Sequence, residues 1–307
     1  SYTGPVQPSK VQAEDKNGTK VSTTYTPNIV GVTPTAEPAK TVDVQGATQT
    51  GKPVFQGGTA MVNGEEKTVE IDDTVPAKLV DPKTGEQVDS VTVEGEGTYT
   101  VAPDGTVTFK PEPQFTGVAK GVEVVRQDKN GTPAKATYTP EVKPVTPTAT
   151  PDESTGVQGE SQKGTVSFTP GETTIKGEKK SVPIKANSAV LLDKSGNPVA
   201  PGTPVDALDE KGNKVGEYTI DPATNKVTFT PTNKEYKGKV QPAKVQAEDK
   251  NGTKVNTTYT PSIVGVTPTA SPAETTDAQG VEQSKEVTFN PGKATVNGVE
   301  KEVPIDT

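Results

Sequence analysis

The chain has 307 residues and a formal net charge of −8, and it contains no cysteine, histidine or tryptophan and a single methionine. These absences exclude disulfides, thiol chemistry, zinc or haem sites built on histidine and cysteine, and the catalytic triads that rely on a histidine base. Acidic and basic residues are interspersed without a basic stripe, which argues against nucleic acid as a partner, and no apolar run predicts a membrane span.

The apolar residues favour strands over helices. Valine occurs 41 times and threonine 48 times, against 4 leucines, and β-branched side chains suit a pleated sheet. Val, Ile, Leu and Phe together make up 58 of the 307 residues, which is close to the composition of disordered chains. The 29 prolines and 30 glycines divide the strands into short pieces. We therefore expect an all-β protein of small, modestly stable modules.

Long internal repeats organise the chain. Three strings recur at offsets of 113 and then 121 residues, a period that is too long for a solenoid and matches tandem whole domains. Residues 2–36 and 236–270 differ at only five of 35 aligned positions. The strings are VTPTA from Val32, Val145 and Val266, DKNGT from Asp15, Asp128 and Asp249, and TYTP from Thr24, Thr137 and Thr258.

This repetition predicts two complete repeats, 32–144 and 145–265. Residues 1–31 are then the end of a preceding repeat and 266–307 the start of a following one, so we expect the chain to be a piece of a longer protein. Near-identical copies suit a part whose number matters more than its individual chemistry, which argues against an enzyme.

Turn signals divide each repeat into hairpins. Asn63-Gly64 supplies the positive φ angles of a tight turn between the predicted strands Thr59–Val62 and Lys67–Ile71. Eight short strands in each period predict a β-sandwich. The other predicted pairs are Ala77–Val80 with Val88–Val93, Thr98–Val101 with Thr106–Phe109, and Val118–Arg126 with Thr132–Thr139.

The VTPTA segments carry two prolines four residues apart. Proline restricts the backbone at its own position and at the residue before it, so these segments predict stiff, extended links that bury little apolar surface and join modules end to end. The prolines are Pro34, Pro38, Pro147, Pro151, Pro268 and Pro272.

The DKNGT string admits two interpretations. Asp15 and Asn17 stand two residues apart before Gly18, as in the start of a calcium loop. The further oxygen ligands of such a loop and its distal glutamate are not in place, so the string favours an Asn-Gly hairpin turn. We predict no metal site and no cofactor.

Other candidate residues point away from catalysis. A glycosidase needs a pair of carboxylates, and the acidic residues that could form one are not reproduced between repeats. Lys185 is a candidate for an isopeptide cross-link to Asn or Asp, but its counterparts are Asp72 and Asp306. Four tyrosines, Tyr99, Tyr138, Tyr218 and Tyr259, lie in strand patterns that predict core packing with the hydroxyl near a rim. The acidic residues considered above for a glycosidase pair are Glu94, Glu96, Asp104, Asp206, Asp209 and Glu210.

The strings in combination carry a family resemblance. GTYTVAPDGTVTFKPEPQFTG at 97–117, followed by DKNGTPAKATYTP at 128–140 and VTPTA, resembles the repeat unit of the CshA-type fibrillar adhesins of streptococci. The second repeat is looser, because ATNK replaces the DG turn and Tyr236 replaces a phenylalanine. The resemblance implies a long cell-wall-anchored surface polymer whose ligand-binding region and sorting signal lie outside this fragment.

The sequence thus predicts the structural stalk of a Gram-positive fibrillar adhesin, extracellular and anchored to the cell wall. Its expected partners are neighbouring repeats of the same chain, with host or microbial ligands engaged by regions outside the fragment. The alternative is that the repeats bind such ligands directly. A repeated exposed aromatic or apolar cluster would favour that alternative.

Overall fold

The computed structural model describes residues 2–306, in which every regular element is a β-strand. No helix in that range is long and apolar enough to cross a membrane. The chain divides into two compact units: the first holds the residues up to Pro144 together with Thr173–Lys180, and the second holds Val145–Glu172 and the residues from Ser181 onward. The all-β prediction is confirmed.

The strands are short, and most have six residues or fewer. In the first part of the chain they are β1 (Gly4–Pro5), β2 (Ser9–Glu14), β3 (Lys20–Tyr25), β4 (Asn28–Ile29), β5 (Thr35–Glu37), β6 (Ala39–Val44), β7 (Gln49–Gly51), β8 (Val54–Gln56), β9 (Gly58–Val62), β10 (Glu65–Val69), β11 (Lys78–Val80), β12 (Gln87–Val88), β13 (Ser90–Val93), β14 (Gly97–Val101), β15 (Val107–Pro111), β16 (Gly117–Val118), β17 (Val122–Gln127) and β18 (Pro133–Lys143).

The remaining strands repeat this order with local changes. They are β19 (Thr148–Thr150), β20 (Asp152–Val157), β21 (Gln162–Thr165), β22 (Ser167–Thr169), β23 (Gly171–Ile175), β24 (Glu178–Val182), β25 (Val190–Leu191), β26 (Val205–Leu208), β27 (Lys214–Asp221), β28 (Lys226–Pro231), β29 (Gly238–Lys239), β30 (Ala243–Glu248), β31 (Lys254–Val264), β32 (Thr269–Ser271), β33 (Thr288–Asn290), β34 (Gly292–Val296) and β35 (Val299–Val303).

The first unit contains a sandwich of two sheets. One sheet has the order β12-β11-β17-β18-β16 with β6 added along β18, and the other has the order β13-β14-β15-β7. Tyr99, Phe109 and Tyr138 are fully buried in one apolar cluster with residues of both sheets. The Tyr99 ring lies 4.5 Å from the ring of Phe109 and 6.3 Å, edge to face, from that of Tyr138. Aromatic side chains compensate here for the scarcity of leucine, because each buries a large apolar area.

The second unit contains a matching sandwich. Its sheets have the orders β20-β31-β30-β25, with β29 beside β31, and β21-β28-β27-β26. Tyr218, Phe229 and Tyr259 fill the equivalent core, with Tyr218 and Tyr259 edge to face at 6.3 Å. The prediction of tandem β-sandwich repeats is confirmed.

The predicted hairpin turns form where the sequence places them. Asn63 and Gly64 have φ angles of 53° and 86°, as a two-residue turn of this kind requires, and β9 pairs with β10 across them. Two predicted strands are divided. Val88 pairs with β11 whereas Val91 pairs with β14, so the run 88–93 serves both sheets. The run 118–126 is likewise interrupted between β16 and β17.

The interpretation of the VTPTA segments as links that bury little is wrong. Thr35–Glu37 pairs with β8, and Ala39–Val44 runs parallel to β18 inside the main sheet. Pro34 and Pro147 are buried, whereas Pro38 is exposed. Ala39–Val44 is thus a strand of the main sheet, whereas Thr35–Glu37 and β8 form a separate two-stranded sheet.

A glycine fixes the close approach between the VTPTA segment and the following hairpin. A Cβ at Gly58 would lie 2.6 Å from the backbone nitrogen of Thr33, so only glycine fits. The same contact recurs between Gly171 and Thr146.

Candidate functional site

The DKNGT aspartates staple a hairpin turn. Asp128 Oδ1 accepts backbone N–H groups of Asn130 at 2.9 Å and Thr132 at 2.8 Å, and β17 pairs with β18 on either side. The Asp128 and Asp249 side chains are fully buried. The hairpin-turn interpretation is confirmed, and the carboxylate is used to satisfy backbone donors that the turn leaves unpaired.

Three of the carboxylates singled out in the sequence each have a different partner. Asp104 pairs with Lys52 at 2.8 Å, and this hydrogen bond lowers the pKa of its carboxyl. Glu96 is buried and accepts the backbone N–H of Lys120. Asp206 pairs with Lys214 at 2.7 Å. Within residues 2–306 no group of three or more acidic side chains is arranged to hold a metal ion.

The remaining candidates have structural surroundings. Lys185 lies at the surface, where its Nζ is 2.6 Å from Glu248 Oε1. Tyr99, Tyr138, Tyr218 and Tyr259 are at most 2% exposed, which confirms core packing. The Tyr218 hydroxyl donates to the carbonyl of Gln241, an exposed residue.

A buried polar network joins the two sheets of the first sandwich. Thr41 Oγ1 lies 2.8 Å from the Tyr138 hydroxyl and donates to Gln49 Oε1 at 2.6 Å. Gln49 Nε2 donates to the carbonyl of Glu141 at 2.9 Å, and the Gln49 side chain is 4% exposed. Every polar group of Gln49 that points inward therefore has a partner, which burial requires.

The second sandwich contains the same network. Ser154 Oγ lies 2.6 Å from the Tyr259 hydroxyl and donates to Gln162 Oε1 at 2.7 Å, while Gln162 Nε2 donates to the carbonyl of Ser262 at 3.0 Å. In the last partial repeat Thr275 donates to Gln283. We call these the hydroxyl–glutamine–tyrosine networks. The hydroxyl and glutamine residues of these networks were not predicted from the sequence, although a hydroxyl residue followed eight positions later by glutamine recurs in all three copies.

A glycine makes room for each network tyrosine. A Cβ at Gly51 would lie 2.2 Å from Cε2 of Tyr138, and one at Gly164 would lie 2.3 Å from Cε2 of Tyr259. Any larger residue would displace the ring and with it the hydroxyl.

In the second unit, the last hairpin packs on the end of the preceding sandwich. This hairpin consists of β34 and β35, and its Val296 is 3% exposed. Lys301 Nζ on β35 lies 2.5 Å from Glu160 Oε1 in the loop after β20. The backbone N–H of Val266 donates to Gln158 Oε1 in the same loop. A repeat therefore contacts the next one through defined side chains.

Glu160 is suited to this contact. Partial burial raises the pKa of its carboxyl, but the hydrogen bonds from Lys301 and from the backbone N–H of Val157 outweigh that effect, and the net pKa is lowered. Glu160 is thus charged at neutral pH. Its counterpart in the first repeat is Ala47.

Comparison with known proteins gives one family. Residues 31–142 and 144–263 match the family described as the surface adhesin CshA repetitive domain. No curated protein sequence matches the chain.

Several solved structures match the chain at low identity and low TM-score. The tetra-tandem repeat in the extending region of a large adhesion protein is 17% identical, with 87% of this chain and 58% of that chain covered and a TM-score of 0.26. Mouse cadherin-23 EC22-24 is 11% identical, with 84% of this chain and 73% of that chain covered and a TM-score of 0.26. The titin I9-I11 tandem is 10% identical, with 84% of this chain and 74% of that chain covered and a TM-score of 0.29. The chain spans 36% of the length of the eight-domain DSCAM structure that it also matches.

Proposed function

The chain belongs to the surface adhesin CshA repetitive domain family, and we propose that its repeats form the stalk that carries an adhesive region away from the cell. The family places the protein outside the cell, at a surface, with a role in adhesion. The finer proposal is a fibril anchored to the wall of a Gram-positive, streptococcal cell. Its ligand-binding region and its anchor lie in other parts of the protein.

The observation that carries this proposal is the packing of one repeat on the next in the second unit. Val296 is buried, and the Lys301–Glu160 ion pair and the Val266–Gln158 hydrogen bond hold two different copies together. Repeats that were joined only by flexible linkers would need no such contacts. Repeats that are joined in this way resist bending at the junction, which supports a spacer whose reach grows with copy number.

Direct ligand binding by the repeats has less support. A binding module that is copied in tandem would repeat its exposed apolar residues. In the first repeat Val54, Met61 and Val118 are exposed, but their counterparts in the second repeat are the polar residues Ser167, Thr174 and Lys239. Aromatic side chains are common in binding surfaces. In the two sandwiches Tyr99, Phe109, Tyr138, Tyr218, Phe229 and Tyr259 are buried in the cores, whereas Tyr2, Tyr25 and Phe289 of the flanking partial repeats are exposed.

Small-angle scattering tests the stalk. The chain would be compared with a longer version that carries one further copy of residues 145–265. We expect the maximum dimension to rise by about the length of one repeat, roughly 35 to 40 Å for strands of about ten residues. An unchanged maximum dimension with a larger radius of gyration in cross-section would contradict the stalk. Binding of the original chain to immobilised host glycoproteins would favour the alternative.

A further inference from the structure

Two parallel strand pairs distinguish the sandwiches from simple antiparallel meanders. β6 runs parallel to β18, with Ala39 opposite Tyr138 and Val44 opposite Lys143. β20 runs parallel to β31, with Asp152 opposite Tyr259. The registers described for the other strand pairs in residues 2–306 are antiparallel. In each repeat the parallel pair therefore joins a strand at the start to the strand at the end.

This direction decides how a pulling force acts on the pair. A stalk under tension is pulled at the start of β6, toward the preceding repeat, and at the end of β18, toward the next. In a parallel pair these two points lie at opposite ends of the ladder, about 16 Å apart for five steps of ~3.3 Å. The force then runs along the strands and loads all the ladder hydrogen bonds together. In an antiparallel pair the same two points would lie side by side, and the bonds would break singly.

The ladder is uninterrupted at its far end. Six residue pairs are in register from Ala39 to Val44, and the backbone N–H of Gln45 extends the contact by donating to the carbonyl of Lys143 at 2.9 Å. In the second repeat the N–H of Gln158 donates to the carbonyl of Val264 at the same distance. The three-residue strand β5, paired with β8, precedes the ladder and can peel away first.

The hydroxyl–glutamine–tyrosine network crosses the same pair. Thr41 lies on β6 and Tyr138 on β18, so their hydrogen bond resists sliding of one strand along the other. Gln49, from the opposite sheet, bonds both to Thr41 and to the carbonyl of Glu141 on β18. A shift of β6 by one residue would break these bonds together and would turn its side chains to the opposite face.

Taking the stalk as the premise, we propose that each repeat is a force-bearing module in which the parallel pair β6–β18, or β20–β31, is the mechanical clamp and the hydroxyl–glutamine–tyrosine network is its latch. The clamp holds the repeat folded while the adhesin is under tension. Resistance to force is a kinetic property that depends on the unfolding barrier, so it does not require high equilibrium stability. A chain with a small apolar core can thus withstand pulling along its length.

Single-molecule pulling in two directions tests the clamp. The chain has no cysteine, so pairs of introduced cysteines define where handles attach. Glu37→Cys with Pro144→Cys pulls the first repeat along the β6–β18 ladder. Glu37→Cys with Lys135→Cys pulls at one end of the same ladder and opens it like a zipper. All three positions are exposed. We expect rupture forces about twofold or more higher in the first geometry.

The network is tested in the same apparatus. Thr41→Val should lower the rupture force along the ladder and leave the force in the zipper geometry unchanged. Thr92→Val is the matched control, because Thr92 makes an exposed hydroxyl pair with Thr98 on β13 and β14, away from the clamp. If Thr41→Val does not fold, Tyr138→Phe removes the same hydrogen bond with less change of shape.

Three results would overturn the proposal or part of it. Equal rupture forces in the two directions would show that the parallel pair is not a mechanical clamp. If Thr41→Val lowered the rupture force in both directions, or in neither direction, the network would not be the latch of the clamp. These results can be told apart from a failure of the stalk proposal. The pulling measurement concerns a single repeat, whereas the scattering measurement concerns the length of several repeats in series.

Discussion

Lys301 Nζ lies 2.5 Å from Glu160 Oε1, although 141 residues separate the two in the chain. The pair joins the first hairpin of one repeat to a loop of the repeat before it. Glu160, the acidic residue of the pair, is not present in all copies, since Ala47 stands at the equivalent position of the first repeat. The first repeat therefore lacks the acidic side chain that this ion pair requires.

Replacing Glu160 by alanine, the residue of the first repeat, should loosen the hairpin without unfolding the sandwich. Both side chains are about one-third exposed, so a loss of roughly 0.5 to 1 kcal/mol of local stability is expected. Hydrogen exchange at the amides of residues 292–303 measures this. Glu300→Ala removes an exposed pair with Lys293 inside the hairpin and should leave exchange unchanged. Equal effects of both variants would contradict the assigned contact.

The same contact should depend on pH in a defined direction. The folded-state pKa of Glu160 lies below its ordinary value of 4.5, so the folded form binds its proton less readily than the unfolded form. The stabilisation is fully present above pH 4.5 and is lost as the pH falls below that value. The difference in hairpin exchange between the wild type and Glu160→Ala should therefore vanish in acid. A difference that persisted after Glu160 is fully protonated would show that the ion pair is not its source.

Ser154→Ala should destabilise the second repeat by about 1 to 3 kcal/mol, because Tyr259 and Gln162 are left with unpaired buried groups. Ser154→Thr installs the residue of the first repeat, keeps the hydroxyl and should cost much less. Urea unfolding followed by tyrosine fluorescence measures both variants. A threonine variant as unstable as the alanine variant would show that shape, and not the hydroxyl, matters at this position.

Asp249→Ala should destabilise the second repeat by about 1 to 3 kcal/mol, because the backbone N–H groups of Asn251 and Thr253 lose the buried Asp249 carboxylate as their acceptor. Asp15→Ala removes the same staple from an exposed hairpin and should not change the melting of the two sandwiches. Millimolar calcium should leave the melting temperature of the wild type unchanged. A rise that a chelator reverses would identify the aspartates as ligands.

Buried tyrosines should limit stability in alkali. Burial raises the pKa of Tyr138 and Tyr259 above the ordinary value of 10.0. Their neutral forms are favoured in the fold, so this contribution is present below pH 10 and is lost as the pH rises through the folded-state values. Absorbance at 295 nm should show a late ionisation step that coincides with loss of the near-ultraviolet circular dichroism. Complete ionisation of all tyrosines at pH 10 with the fold intact would contradict their burial.

Pro147→Ala should destabilise the second repeat more than Pro151→Ala, because Pro147 is buried and Pro151 is exposed. We expect a difference of about 1 kcal/mol in the free energy of unfolding, from lost apolar burial. Urea unfolding of the two variants measures it. Equal and small effects would restore the interpretation of these segments as links.

The sequence by itself determined the class of the fold and the elements that local chemistry dictates. Valine and threonine, with Asn-Gly at 63–64 and Asp-Lys-Asn-Gly at 128–131, specify strands and tight turns through neighbouring residues alone. The repeated strings determined the period and the family for the same reason, since they are read along the chain.

Only the tertiary structure decided the role of the segment 32–44, which contains Pro34 and Pro38. Its prolines suggested a link, yet Ala39–Val44 completes a sheet whose partner strand begins 94 residues later. Parallel pairing over such a separation leaves no local signal, because neither strand is joined to the other by a turn. Likewise Thr41, Gln49 and Tyr138 are unremarkable polar and aromatic residues until the fold brings them together in one buried network. Burial, which the chain acquires only when both sheets have formed, makes their hydrogen bonds obligatory.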